Sequence, residues 1–227
     1  MQNALFFVAF IFLFSSCGPA AFQKYRTAAY DDLANEHEIL AILPVEVITT
    51  GRIPEEITEE DLQKIEAEES KAFQASLYTQ LAKESGSRNR DIQVNFQHYA
   101  ETNARLEEAN ISYDQAINMA PGKLAQILKV DAVVKTRIEK EQYLTDLESL
   151  GIQLVRRIAV LTNNYPYPGF LNSKTSDVFV NMSALDAEHG IPVWALDQVC
   201  PTYWNKSTRE IIDDITRWMA NRFPYRN

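Results

Sequence analysis

Cysteine, glycine and histidine are all scarce in this 227-residue chain, and each scarcity closes off a class of chemistry. Two cysteines, Cys17 and Cys200, make no Cys-x-x-Cys pair, and the chain holds no His-Glu-x-x-His, so the common metal motifs are missing. Seven glycines leave scarcely any material for a phosphate-cradling loop, and no Gly-x-Ser-x-Gly elbow presents a nucleophile. The three histidines, His37, His98 and His189, are far apart in sequence, and none has a second ligand at metal spacing. Basic residues are outnumbered, 22 against 31 acids, for a net charge of −9. Such a chain gains nothing from the counterion release that drives nucleic-acid binding, so no nucleic-acid partner is expected. Beyond residue 17 no long apolar run remains, so no transmembrane helix is expected. Even Met1-Gln2-Asn3 lacks Lys and Arg, leaving the α-amino group as the positive charge there.

What is present begins with Ala4–Phe14, an unbroken apolar run. It is about half the roughly 20 residues that a spanning helix needs, and it fits the hydrophobic region of a secretory signal. The residues that follow, Leu13-Phe14-Ser15-Ser16-Cys17, resemble the lipobox of bacterial lipoproteins. That resemblance implies removal of residues 1–16, diacylation of Cys17 (palmitate among the acyl chains) and a mature chain starting at Cys17. The alternative is a plain signal peptide with an incidental cysteine. Gly18, not Asp, follows Cys17; by the best-known lipoprotein sorting rule this favours the outer membrane, facing the periplasm. With Cys17 acylated, Cys200 has no intramolecular disulfide partner, and it reads as a small half-buried hydrophobe rather than a reactive thiol.

Residues 17–38 read as a tether and 39–227 as one α/β domain. Ile39–Val47 is a nearly continuous apolar run, which suits a central strand covered on both faces, with Pro44 at its end or at a bulge. Thr58-Glu59-Glu60-Asp61 starts a helix that Gly86 ends. The acids Glu55, Glu56, Glu59, Glu60, Asp61, Glu66, Glu68 and Glu69 read as a solvated face, not a metal site. Asp91–Phe96 alternates as a second strand, and Thr102 is placed to cap a short helix. Ser112 with Gln115 is a capping box, Pro121 opens a further helix, and Ala132–Glu139 is a β-branched strand. Asp177–Asp186 and Ile191–Val199 form a hairpin turned by Asp186 and Gly190, and Ser207 caps the last helix. The fold class that follows is α/β: a single domain with a mixed, partly parallel sheet, a C-terminal β-hairpin and helices packed on it. Residues 147–175 stand apart as an insertion, a helix over Leu147–Leu161 and then a Pro-rich loop. That helix reads as buried packing, or as a surface lying on a membrane or a neighbouring subunit.

Three stretches carry a wider resemblance: Leu40-Ala41-Ile42-Leu43-Pro44-Val45, Glu108–Val134 with its Val130-Asp131-Ala132-Val133, and Leu185-Asp186-Ala187-Glu188-His189-Gly190-Ile191-Pro192-Val193-Trp194. Together they resemble the envelope lipoproteins related to the curli-secretion subunit. That group includes the lipoprotein activators of penicillin-binding proteins and the amino-terminal domain of the Tol-system β-propeller protein. The resemblance covers about residues 38–140 and 176–224. It implies a non-enzymatic lipoprotein that acts as an assembly or regulatory partner of a cell-envelope machine, as a homo-oligomer, through protein–protein interaction. An oligomeric subunit of a curli-type outer-membrane secretion channel is the alternative, which conductance in planar bilayers would reveal.

No catalytic residue, cofactor or metal is expected. Asp31-Asp32 and Asp213-Asp214 are adjacent in sequence and point to different faces, so they make poor acid/base pairs. His189 beside Glu188 and Asp186 is the nearest approach to a site, and it reads as a turn tip. Tyr165, Tyr167, Phe170, Tyr203 and Trp204 are candidate interaction residues, since aromatics near loops offer rigid contact area. They serve equally well as a cover for the sheet's end.

Overall fold

The computed structural model describes residues 23–53, 57–85, 92–142, 174–203 and 207–226. Seven strands form one mixed sheet: β1 (Gln23–Arg26), β2 (Ile39–Ile42), β3 (Glu46–Gly51), β4 (Asn95–Gln97), β5 (Ala132–Gln142), β6 (Lys174–Asp186) and β7 (Pro192–Tyr203). Their order is β1-β7-β6-β5-β2-β4, with β3 also on β5. β2 runs parallel to β4 and β5, and β3 parallel to β5, whereas β6 and β7 form an antiparallel hairpin beside them. This is the expected α/β fold with a partly parallel sheet.

The apolar run from Ile39 divides into two strands. Ile42 pairs with Val134 and Glu46 with Arg137, so Leu43-Pro44-Val45 oppose only Lys135 and Thr136. Pro44 has no N–H to give to a ladder, so the extra residue is accommodated there as a bulge. The tether expected over 17–38 is shorter than the sequence implied. Gln23–Arg26 pairs antiparallel with Asp197–Trp194, and Tyr30–Glu36 forms helix α1. Among the described residues β1 pairs with β7 alone, at one edge of the sheet, and its sequence Gln-Lys-Tyr-Arg has no apolar alternation.

Local signals set most helix starts. α2 (Glu59–Ser85) begins at Thr58, whose hydroxyl accepts from Asp61 N at 3.1 Å. α4 (Tyr113–Asn118) opens on the reciprocal Ser112–Gln115 capping box, and α5 (Pro121–Leu128) carries Pro121 in its first turn. The last helix, α6 (Thr208–Arg222), has the same box from Ser207 and Glu210. α3 (Tyr99–Glu108) departs from expectation: His98, not Thr102, is its N-cap. Thr102 is buried inside the helix and donates to Gln97 Oε1 at 2.9 Å. The strand expected over 91–96 shrinks to Asn95–Gln97, with Ile92 making a single bridge to Arg226.

Two helical layers cover the sheet unequally. Phe73, Leu77 and Leu81 of α2 and Ile212, Ile215 and Met219 of α6 pack on Leu40, Ile42, Ile138, Met182, Trp194 and Leu196. On the opposite face, α3–α5 bring Leu106, Ala116, Leu124 and Leu128 onto Ala41, Leu43 and Val133. That second layer covers the start of β5 but leaves Arg137, Phe179, Asn181, Asp197 and Tyr25 on an exposed face. Trp194 is completely buried, edge-on to Phe223 at 5.7 Å, and its Nε1 has no hydrogen-bond partner among the described residues.

Candidate functional site

Cys17 and the aromatics Tyr165, Tyr167, Phe170 and Trp204 lie outside the described residues, as does the helix expected over Leu147–Leu161. Tyr203 ends β7, where its backbone is in register with Lys174. The acids of α2 take local partners. Glu60 bonds Lys64 at 2.8 Å, Glu68 bonds Lys71 at 3.0 Å, and Glu69 pairs with Lys140 across to β5. Glu66 accepts from Thr49 N at 2.6 Å, so these carboxylates decorate and orient the helix. Cys200 is half-buried, and burial pushes its thiol up despite the nearby Arg222, so it stays protonated at neutral pH.

The cluster that sequence reading missed is built around His37. Although expected in a tether, His37 is 7% exposed and sits where α1 passes into β2. Its Nε2 is 2.8 Å from Asp186 Oδ1, and its Nδ1 is 2.7 Å from the Tyr225 hydroxyl. Asp186 Oδ2 accepts from His189 N at 2.6 Å and lies 2.9 Å from His189 Nδ1. Tyr225 N donates to the Tyr30 hydroxyl at 2.7 Å, and Arg26 lies 3.7 Å from the Tyr30 ring centroid. The turn thus brings His189 and Asp186 together as the sequence implied, while the fold adds His37, Tyr225 and Tyr30.

Hydrogen-bond roles follow from the carboxylate. Ionised Asp186 can only accept, so His37 Nε2 donates to it, and with a neutral ring Nδ1 accepts from the Tyr225 hydroxyl. Burial pushes the Asp186 carboxyl up, but the hydrogen bonds from His37 and His189 outweigh it and hold the group below its ordinary value. Burial, reinforced by Tyr30 and Asp186, pushes the Tyr225 hydroxyl far above its ordinary range. Tyr225 also holds a positive φ of 66°, a costly backbone for a bulky residue. The bonds from its N to Tyr30 and from Gln93 N to its carbonyl, 2.9 Å, keep it there.

A Tyr-His-Asp chain has the order of a nucleophilic relay, but this hydroxyl is protonated and buried. The adjoining cleft, lined by Arg26, Tyr30, Asn35 and Gln93, has a volume of about 130 Å³, below the roughly 300 Å³ of small ligand sites. Chemically the cluster clamps: it joins the α1–β2 junction, the hairpin and the C-terminal tail. Larger concavities lie elsewhere. A groove of about 800 Å³ runs between α2 and α6, past Ala72, Ser76, Thr79 and Arg209. A depression of about 330 Å³ crosses the exposed sheet face at Arg137, Phe179, Asn181 and Asp197.

No family model matches the chain, and no curated protein matches it. Solved structures do. Lipoprotein GNA1162 from Neisseria meningitidis matches with a TM-score of 0.49 at 12% identity, over 82% of this chain and 96% of that one. The PelC dodecamer from Paraburkholderia phytofirmans matches with a TM-score of 0.43 at 9% identity, over 88% and 94%. The LpoB C-terminal domain from Salmonella enterica matches with a TM-score of 0.34 at 9% identity, over 73% and 84%.

Proposed function

We propose that the protein is an outer-membrane lipoprotein, acylated at Cys17 and facing the periplasm, that works as a non-enzymatic assembly or regulatory partner of a cell-envelope machine. The observation that carries this reading is the junction at Cys17. A short apolar run ends in Ser15-Ser16-Cys17, and the sheet already begins at Gln23. Among the described residues no helix is long and apolar enough to cross a membrane. In this reading acylation supplies the membrane attachment, and two acyl chains are the number that stable anchoring requires.

The role as a partner rests on surface and chemistry together. His37, Asp186 and Tyr225 of the polar cluster are buried, whereas the α2–α6 groove and the exposed sheet face at Phe179 are turned outward. Such surfaces suit contact with protein better than turnover of a small molecule. Crosslinking in intact envelopes followed by pull-down of the chain is expected to recover a discrete envelope protein. Recovery of no envelope protein under any condition counts against the role.

A further inference from the structure

One stripe of α2 follows the helical repeat on the side away from the core. Asp61, Ile65, Glu68, Ala72, Thr79 and Lys83 lie along it, and all six are exposed. The residues that α2 buries, Phe73, Leu77 and Leu81 among them, are on its opposite side. From Glu68 to Lys83 this stripe lines the groove of about 800 Å³ beside α6. Ser76 Oγ donates to Asp213 Oδ1 at 2.8 Å, and further along Glu84 pairs with Arg226, which also reaches the Ala220 carbonyl. The two helices therefore run in the same direction, and Arg217 stands at the Lys83 end of the groove.

The stripe is complementary to itself once reversed. Its first turn holds Glu59, Glu60 and Asp61, and its last turn holds Lys83, which has no ion pair among the described residues. An identical helix laid parallel would set acid on acid. Laid antiparallel, it sets the acidic first turn of each copy on Lys83 and Arg217 of the other, and the two helix dipoles oppose.

We infer that the groove receives α2 of a second copy of this chain, antiparallel about a two-fold axis beside Ala72. With Asp61 opposite Lys83, the register puts Ile65 opposite Thr79 and Ala72 opposite itself. A residue that meets its own copy is what a two-fold contact requires. Ala72, Ala75 and Ser76 are small at that point, so the axes can approach within the usual 8–10 Å. Ile65, 41% exposed in the single chain, gains an apolar cover. The paired stretch from Asp61 to Lys83 is about 33 Å long. The pairing does not depend on acylation at Cys17.

The test uses the full chain purified in detergent, carrying Cys200→Ser and one added cysteine, oxidised and run on a non-reducing gel. Ala72→Cys is expected to give several-fold more disulfide-linked dimer than Thr79→Cys. The two 72 positions meet, whereas the two 79 positions stand about 21 Å apart along the helices, beyond the reach of a disulfide. The Cys200→Ser chain without an added cysteine sets the background from Cys17. Adding Lys83→Glu and Arg217→Glu to the Ala72→Cys chain should cut the dimer several-fold, and further adding Glu60→Lys and Asp61→Lys should restore it. Equal dimer at 72 and 79, or no dimer above background, overturns the pairing. So does crosslinking that ignores the charge reversals.

Discussion

His37 Nε2 and Asp186 Oδ1 are 2.8 Å apart across 149 residues of chain, and both side chains are almost completely buried. A buried pair of this kind adds little over an apolar isostere, but breaking it leaves a charge or a donor without a partner. Its consequence is coupling. The first helix, the hairpin and the C-terminal tail cannot separate singly without opening the cluster.

Asp186→Ala removes acceptors from His37, from His189 N and from the His189 ring at once. The variant is expected to lose about 3–5 kcal/mol, read as a lower urea midpoint. A loss within about 0.5 kcal/mol, the range of ordinary surface changes, would contradict a clamping role.

Acid should weaken the same contact. The folded-state value of Asp186 lies below its ordinary 3.8, so the unfolded chain takes up the proton first as pH falls. Its contribution is therefore complete above roughly pH 5 and is lost as pH drops through the depressed folded value. The stability gap between the parent chain and Asp186→Asn is expected to narrow between about pH 5 and 3 when followed by urea unfolding. A gap that widens toward acid would contradict the assignment.

Two glycines near the hairpin should respond differently to substitution. A Cβ on Gly122 would lie 2.7 Å from the Ala187 carbonyl, a backbone atom that cannot step aside alone. Gly122→Ala is expected to cost about 1–3 kcal/mol by forcing α5 off the hairpin. Gly190 has φ of +67° with open space around it, so Gly190→Asn should be nearly neutral, because Asn tolerates that backbone. Chemical denaturation of both variants reads the difference.

Asp131 Oδ2 accepts from Glu38 N at 2.9 Å and from Ile39 N at 2.8 Å, pinning the start of β2 beside β5. Asp131→Ala is expected to cost about 1–3 kcal/mol and to speed amide exchange at Ile39 and Leu40. Unchanged exchange there would show that the strand pairing holds its own end.

The legible parts of this fold are those written in local chemistry. Ser112–Gln115, Ser207–Glu210 and Pro121 act within a single turn, and each starts its helix as the sequence implied. The hairpin was equally clear, since Asp186 and Gly190 shape it within five residues. β1 was hidden because Gln23–Arg26 lacks apolar alternation and gains its place from pairing with β7. Thr102 looked like a cap, yet tertiary burial and the Gln97 side chain claimed its hydroxyl. The His37 cluster was out of reach for the same reason: its members come from residues 30, 37, 186 and 225, and no spacing rule joins them. Of the candidate interaction residues, only Tyr203 falls among the described residues, and Cys17 is read from its sequence neighbours alone.

Membrane attachment is proposed to depend on Cys17. Cell fractionation of the parent chain beside Cys17→Ser is its most direct measurement. The parent should sediment with the outer membrane as an acylated chain beginning at Cys17. The Cys17→Ser chain should lose that acylation and appear in the soluble periplasmic fraction. Unchanged membrane association of the Cys17→Ser chain would contradict the lipid anchor and everything built on it.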